Sequence, residues 1–79
     1  MTRYYFDVRN CNRLFPDKEG LELSTTDAAQ EEAVGAAAVM ARDAIRRNPA
    51  GLMAIEVRDD NGLVLLVEFH WTVDRHRQS

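Results

Sequence analysis

At 79 residues, with 46% hydrophobic and 29% charged side chains, the chain has the composition of one small globular domain and not of a disordered segment. A formal charge of -3 supplies no general attraction to nucleic acid or to anionic membranes. Cys11 is the only cysteine, which excludes an internal disulfide framework. A chain this short buries only roughly 60–65% of its unfolded surface, and thin cores of this kind often gain burial by oligomerising.

The first predicted element runs from Arg3 to Arg9. Tyr4, Phe6 and Val8 alternate with Arg3, Tyr5, Asp7 and Arg9, the period of a half-buried strand. Asn10-Cys11-Asn12 reads as a turn, because asparagine tolerates left-handed dihedrals. Extended chain resumes at Arg13 and meets Pro16, which lacks a backbone donor and restricts Phe15. Asp17-Lys18-Glu19-Gly20 forms another turn, and Leu21 and Leu23 flank Glu22 in a short strand-like step. The second strand is therefore expected to be short, interrupted and at an edge, where proline is tolerated.

Ser24-Thr25-Thr26-Asp27 is a helix-start signal. Asp27 with Gln30 has the spacing of a capping box, and Thr25 or Thr26 would cap nearly as well. Steps of 100° place Ala33, Val34, Ala37, Ala38, Met40, Ala41, Ala44 and Ile45 on one broad apolar stripe. Val39 falls on the polar side. The helix should stop near Asn48-Pro49.

A third strand follows at Leu52–Arg58, with Met53, Ile55 and Val57 inward, and Asn61-Gly62 signals a tight hairpin. The last strand, Val64–Val73, turns Leu65, Val67, Phe69, Trp71 and Val73 to one face and Leu66, Glu68, His70 and Thr72 to the other. The expected fold is α+β: a four-stranded antiparallel sheet in the order β-β-α-β-β, with one helix packed on one face. The second strand should lie at one edge, followed by the first, the third and the fourth. Residues 1–79 form a single domain whose end, 74–79, is a frayed polar tail. No apolar run is long enough to span a membrane and no signal-peptide pattern is present, so a cytoplasmic protein is expected.

The opening Tyr4-Tyr5-Phe6-Asp7-Val8-Arg9 forms a set with the Asp17-Lys18-Glu19-Gly20-Leu21-Glu22-Leu23 step and the alanine-rich helix after Asp27. Ala54-Ile55-Glu56-Val57-Arg58-Asp59, with its Asn-Gly turn, completes it. Together these resemble a family of small bacterial proteins defined as a domain of unknown function. The resemblance covers nearly the whole chain and implies no activity or functional residues. Members often carry Asp-Gly or Gly-Gly in the first turn, where Asn10-Cys11-Asn12 stands here. Over the first half, Thr25-Thr26-Asp27-Ala28-Ala29-Gln30 and the preceding acidic turn are also similar to HicB-type antitoxins, partners of a bacterial RNase toxin, although no DNA-binding segment is appended.

For chemistry, His70, Asp74 and His76 would share a face if the last strand continued, as metal ligands require, but their spacing matches no zinc signature. An exposed strand histidine beside a tail histidine is the simpler reading. Cys11 would be a nucleophile only with a stabilised thiolate and a base such as His70 nearby. Asp7, Glu56 and Glu68 share the polar sheet face with Arg3, Arg9 and Arg58, which neutralise them. No phosphate loop or catalytic motif is present, so no enzyme, no cofactor and no metal site is expected. The polar sheet face has too few stacking aromatics and no surplus positive charge for nucleic acid. Arg3, Tyr5, Arg58, Leu66 and His70 form a mixed patch suited to a protein contact. The expected function is a non-enzymatic protein-interaction module acting as a homodimer through the open sheet face or an exposed edge strand. The alternatives are an antitoxin-like regulator that binds an RNase, and a small metal-binding protein or enzyme using Cys11, His70 or His76.

Overall fold

The computed structural model describes residues 1–77. Its elements are β1 (Thr2–Asn10), β2 (Arg13–Phe15), β3 (Leu21–Leu23), α1 (Thr26–Arg47), β4 (Ala50–Asp59) and β5 (Gly62–Thr72). The sheet runs β2-β1-β4-β5, and β3 also pairs with β1, every neighbour being antiparallel. The fold is α+β as expected, with one difference. Pro16 and the loop after it split the second strand, so the sheet has five strands where four were expected. Both pieces lie on the same side of β1, β2 opposite Val8–Asn10 and β3 opposite Thr2–Tyr4.

Register follows the odd-even pattern of the sequence. Phe6 faces Val57, Val8 faces Ile55, and these continue to Leu65 and Val67 on β5. With Tyr4, this face receives α1, and the core forms from Tyr4, Ala29, Ala33, Ala37, Ile55 and Val57. The broad helix stripe needs correcting. Ala29, Ala33 and Ala37 are the buried helix residues, while Val34 and Ile45 are exposed. Alanine at every fourth position lets the axis approach the sheet closely, so the helix seats on a narrow line and leaves its wider apolar flank uncovered.

The helix ends fall among the positions the sequence offers, and the two turns each add a local correction. Thr25 is the N-cap: its Oγ1 accepts the Ala28 N–H at 3.0 Å, and Asp27 lies in the first turn, where its charge suits the helix dipole. The helix ends at Asn48, as Pro49 requires. In the first turn Cys11, not an asparagine, takes the left-handed φ of 56°. The second hairpin joins Asp59 to Gly62 through Asp60 and Asn61, one residue earlier than Asn-Gly as the central pair implies. A bulge follows, where the register slips between Val57 and Arg58, so Val64 and Leu65 both pack on the core.

Trp71 closes the far end. Its ring lies over Gly51, where a Cβ would overlap it, and its Nε1 donates to the Asn48 carbonyl at 2.9 Å. Of the tail expected to fray over 74–79, residues 74–77 carry no helix or strand and 78–79 lie outside the described residues. Among the described residues no helix is long and apolar enough to cross a membrane.

Candidate interaction surface

Three surfaces stand apart: the open sheet face, the β1 edge and the β5 edge with the helix flank above it. On the open face, Tyr5 pairs with Arg58, Asp7 with Glu56 and Arg9 with Ala54. On β5 the same face continues as Leu66 opposite Glu56, Glu68 opposite Ala54 and His70 opposite Leu52. The five residues read as one contact patch therefore occupy different rows. Tyr5 and Arg58 meet, Arg3 lies toward the β3 end, and Leu66 and His70 lie on β5.

Much of the patch is engaged internally. Asp7 is only 5% exposed although it faces away from the helix. Its Oδ1 accepts the Asp17 N–H at 2.8 Å and its Oδ2 accepts Arg58 Nε at 2.7 Å. Arg58 also donates to the Asp17 carbonyl at 3.1 Å, and its guanidinium lies 4.4 Å from the Tyr5 ring centroid, a cation–π contact. The hydrogen bond to Asp7 raises the Arg58 pKa above its ordinary value against the opposing effect of burial, with further help from the charges of Asp7, Tyr5 and Asp17. Arg9 is raised likewise by its hydrogen bond and charge pairing with Glu56. Arg3 binds Glu22 at 3.2 Å and the Glu19 carbonyl at 2.6 Å. Exposed on the β4–β5 half of this face are Leu52, Leu66, with 50% of its surface exposed, Glu68 and His70.

The β1 edge is closed by the Pro16–Gly20 loop. Between the segments of β1 paired with β3 and β2, the Phe6 N–H donates to Asp17 Oδ2 at 3.2 Å. The same carboxylate, through Oδ1, accepts the N–H groups of Glu19 and Gly20 at 3.0 and 3.2 Å. Asp17 thus fills the gap where the split strand offers no carbonyl. Burial pushes its carboxyl up, but the donors Gly20, Phe6 and Glu19, together with the Arg58 charge, outweigh this and hold it below the ordinary carboxylate value. Gly20 has φ 72°, and a Cβ there would come within 2.9 Å of the Tyr4 carbonyl, so this loop needs glycine.

The candidate ligand groups do not converge. His70 lies on β5, which ends at Thr72, while Asp74 and His76 follow it and contact each other at 3.4 Å. Among the described residues no group of three or more His, Cys, Asp or Glu side chains could hold a metal ion. Cys11 is exposed, and its N–H reaches the Leu52 carbonyl at 3.3 Å. Leu52 is the register partner of His70 and so lies between the two. A cavity of about 30 Å³ beside Cys11, lined by Arg9, Leu52, Met53, Ala54 and Glu68, is water-sized.

Of the third surface, the sequence named an exposed edge strand without choosing one and did not single out the helix flank. Val34, Ala37, Ala38 and Ala41 of α1 and Val67 and Phe69 of β5 line an apolar groove of about 230 Å³. Beneath it, β5 has no strand on its outer side among the described residues. The available signal was the width of the helix stripe: eight apolar positions are more than one line of contact with a sheet can cover.

The fold and surfaces define a small α+β domain with one helix over one side of an antiparallel sheet. The chain belongs to the family described as domain of unknown function DUF6894, whose model matches residues 3–70. No curated protein and no solved structure matches it, and the likeness to HicB-type antitoxins gains nothing beyond the residues that suggested it.

Proposed function

We propose that this chain is a non-enzymatic interaction module that works as a homodimer. The observation that carries the reading is an unfinished core. Among the described residues, Ile55 and Val57 are the largest side chains fully withdrawn from water, whereas Val34, Ile45, Leu52, Leu63 and Leu66 are exposed. At about 25 cal/mol per Å² of apolar surface buried, a partner would add stabilisation that the single chain forgoes. On the open face Asp7, Arg9, Glu56 and Arg58 are occupied with one another and with Asp17, which suits a structural part.

Sedimentation equilibrium and light scattering at micromolar concentration test this. The expected particle has the mass of two chains; a clean monomer at tens of micromolar would remove the reading.

A further inference from the structure

We infer that the dimer forms when β5 pairs antiparallel with β5 of a second copy, which roofs the apolar groove with the flank of its own helix. This inference rests on the homodimer reading and assigns its surface. Three observations select the occupant.

The first is the edge itself. β5 runs 11 residues from Gly62 to Thr72, and Glu68 is its one formally charged side chain. A strand of this length spans roughly 35 Å. Nothing among the described residues pairs with its outer side, although exposed edges are normally blunted by charge, proline or short length. A second β5 satisfies every outward N–H and C=O of the first through a two-fold axis.

The second is the layer above. Along α1, Asp27, Glu31, Val34, Ala38, Ala41 and Ile45 recur at alternating spacings of four and three, the line along which one helix meets another. Small residues at its centre allow close approach. Two β5 strands side by side bring two such helix flanks together over Val67 and Phe69, which is the groove. With the strand edge, the face is roughly 35 Å by 20 Å, or about 700 Å², close to the ~800 Å² per partner of a stable interface.

The third is charge, and it fixes the direction. Tyr4 contacts Thr26 and Tyr5 pairs with Arg58, so the helix start lies at the β4–β5 hairpin end. Asp27, Glu31, Asp59 and Asp60 gather there. Trp71 donates to Asn48, so the helix end with Arg46 and Arg47 lies where β5 finishes. An antiparallel pair sets the acidic end of each copy beside the basic end of the other. A parallel pair would set like against like.

The test compares the chain with Val34→Glu/Ala38→Glu, at exposed helix positions where glutamate is well tolerated, and with Leu52→Glu on the open face of β4, away from the β5 edge. Circular dichroism establishes folding, and sedimentation gives the mass. The expected result is a dimeric wild type, a folded monomer for the groove variant throughout the micromolar range, and a dimer for Leu52→Glu. A dimeric wild type with a groove variant that stays dimeric overturns this surface while the homodimer reading stands; a monomeric wild type removes both. Should the groove variant not fold, two measurements carry the test. Arg46→Glu/Arg47→Glu should raise the dimer Kd by about tenfold or more through like-charge contact. Amide exchange on wild type should show successive β5 amides protected at high concentration, with alternate ones exchanging freely on dilution; alternation at every concentration overturns the pairing.

Discussion

Along the outer side of β1 the ladder is taken up three times, by β2, by the Asp17 carboxylate and by β3, while along the outer side of β5 eleven residues run without a partner among the described residues. The β1 side carries a proline, a glycine-dependent loop and a half-buried ion pair. The β5 side carries Leu63, Val64, Leu65, Leu66, Val67, Phe69 and Trp71 with one formal charge. Natural sheets protect edges because an open ladder recruits other chains. One edge sealed with this many parts, and the other bare among the described residues, is the asymmetry on which the proposed dimer rests.

The largest test of this contrast is removal of the seal. Asp7→Ala strips the carboxylate that accepts both Asp17 N–H and Arg58 and leaves a partly buried guanidinium unpaired. Because Arg58 keeps 39% of its side chain in solvent, the expected cost is about 2–3 kcal/mol, below that of a wholly buried broken pair. Chemical denaturation measures it. Amide exchange should quicken first in Thr2–Tyr4 and β3 and leave β5 unchanged. A change under about 0.5 kcal/mol would mean the pair does not hold this edge.

The two edges were unequally legible. The odd-even rhythm of Tyr4, Phe6 and Val8 and of Met53, Ile55 and Val57 reports which face meets the helix, because each pleat position sees one environment. Pro16 announced the broken edge strand because it acts on its own backbone. Asp7 looked like an ordinary polar-face residue; its burial depends on Asp17 returning from ten positions away, which no local period records. The helix flank was misjudged for the same reason: an apolar stripe states which residues avoid water, not whether the same chain covers them. Of the mixed patch, Tyr5 and Arg58 do meet, but Arg58 is engaged with Asp7 and the Asp17 carbonyl, and side-chain commitments of that kind are invisible in spacing.

At the other side, Gly51→Ala pushes a methyl group into the Trp71 ring and should disturb the end of β5 without touching β1. The expected loss is about 1–2 kcal/mol, the usual range for an overpacked contact. Trp71 is the only tryptophan, so its fluorescence reports the displacement directly. An unshifted emission maximum with unchanged stability would show that the indole does not rest on Gly51. Thr25→Ala removes the helix cap and should cost about 1 kcal/mol. Since α1 serves both halves, exchange should quicken at its first turn with no preference for either edge, and a preference would mean the two edges are coupled through the helix.

The smallest effect concerns protons at the sealed edge. The Asp17 carboxyl is held below its ordinary value, so its share of stability is fully present above the unfolded-state pKa. As pH falls through the lower, folded-state value the carboxylate must protonate, and that share is lost. Wild-type denaturation midpoints should therefore drop as pH is lowered beneath the ordinary carboxylate range, with early release of the Phe6 and Gly20 amides. Asp17→Asn has no proton to gain there and should show a shallower slope, while being less stable than wild type at neutral pH because its amide nitrogen cannot accept the Phe6 N–H. Equal slopes for the two proteins would place the acid sensitivity elsewhere. A wild type that also kept its Phe6 amide protected in acid would show that the β1 edge is sealed without the Asp17 charge, and the contrast between the edges would then rest on β2 and β3 alone.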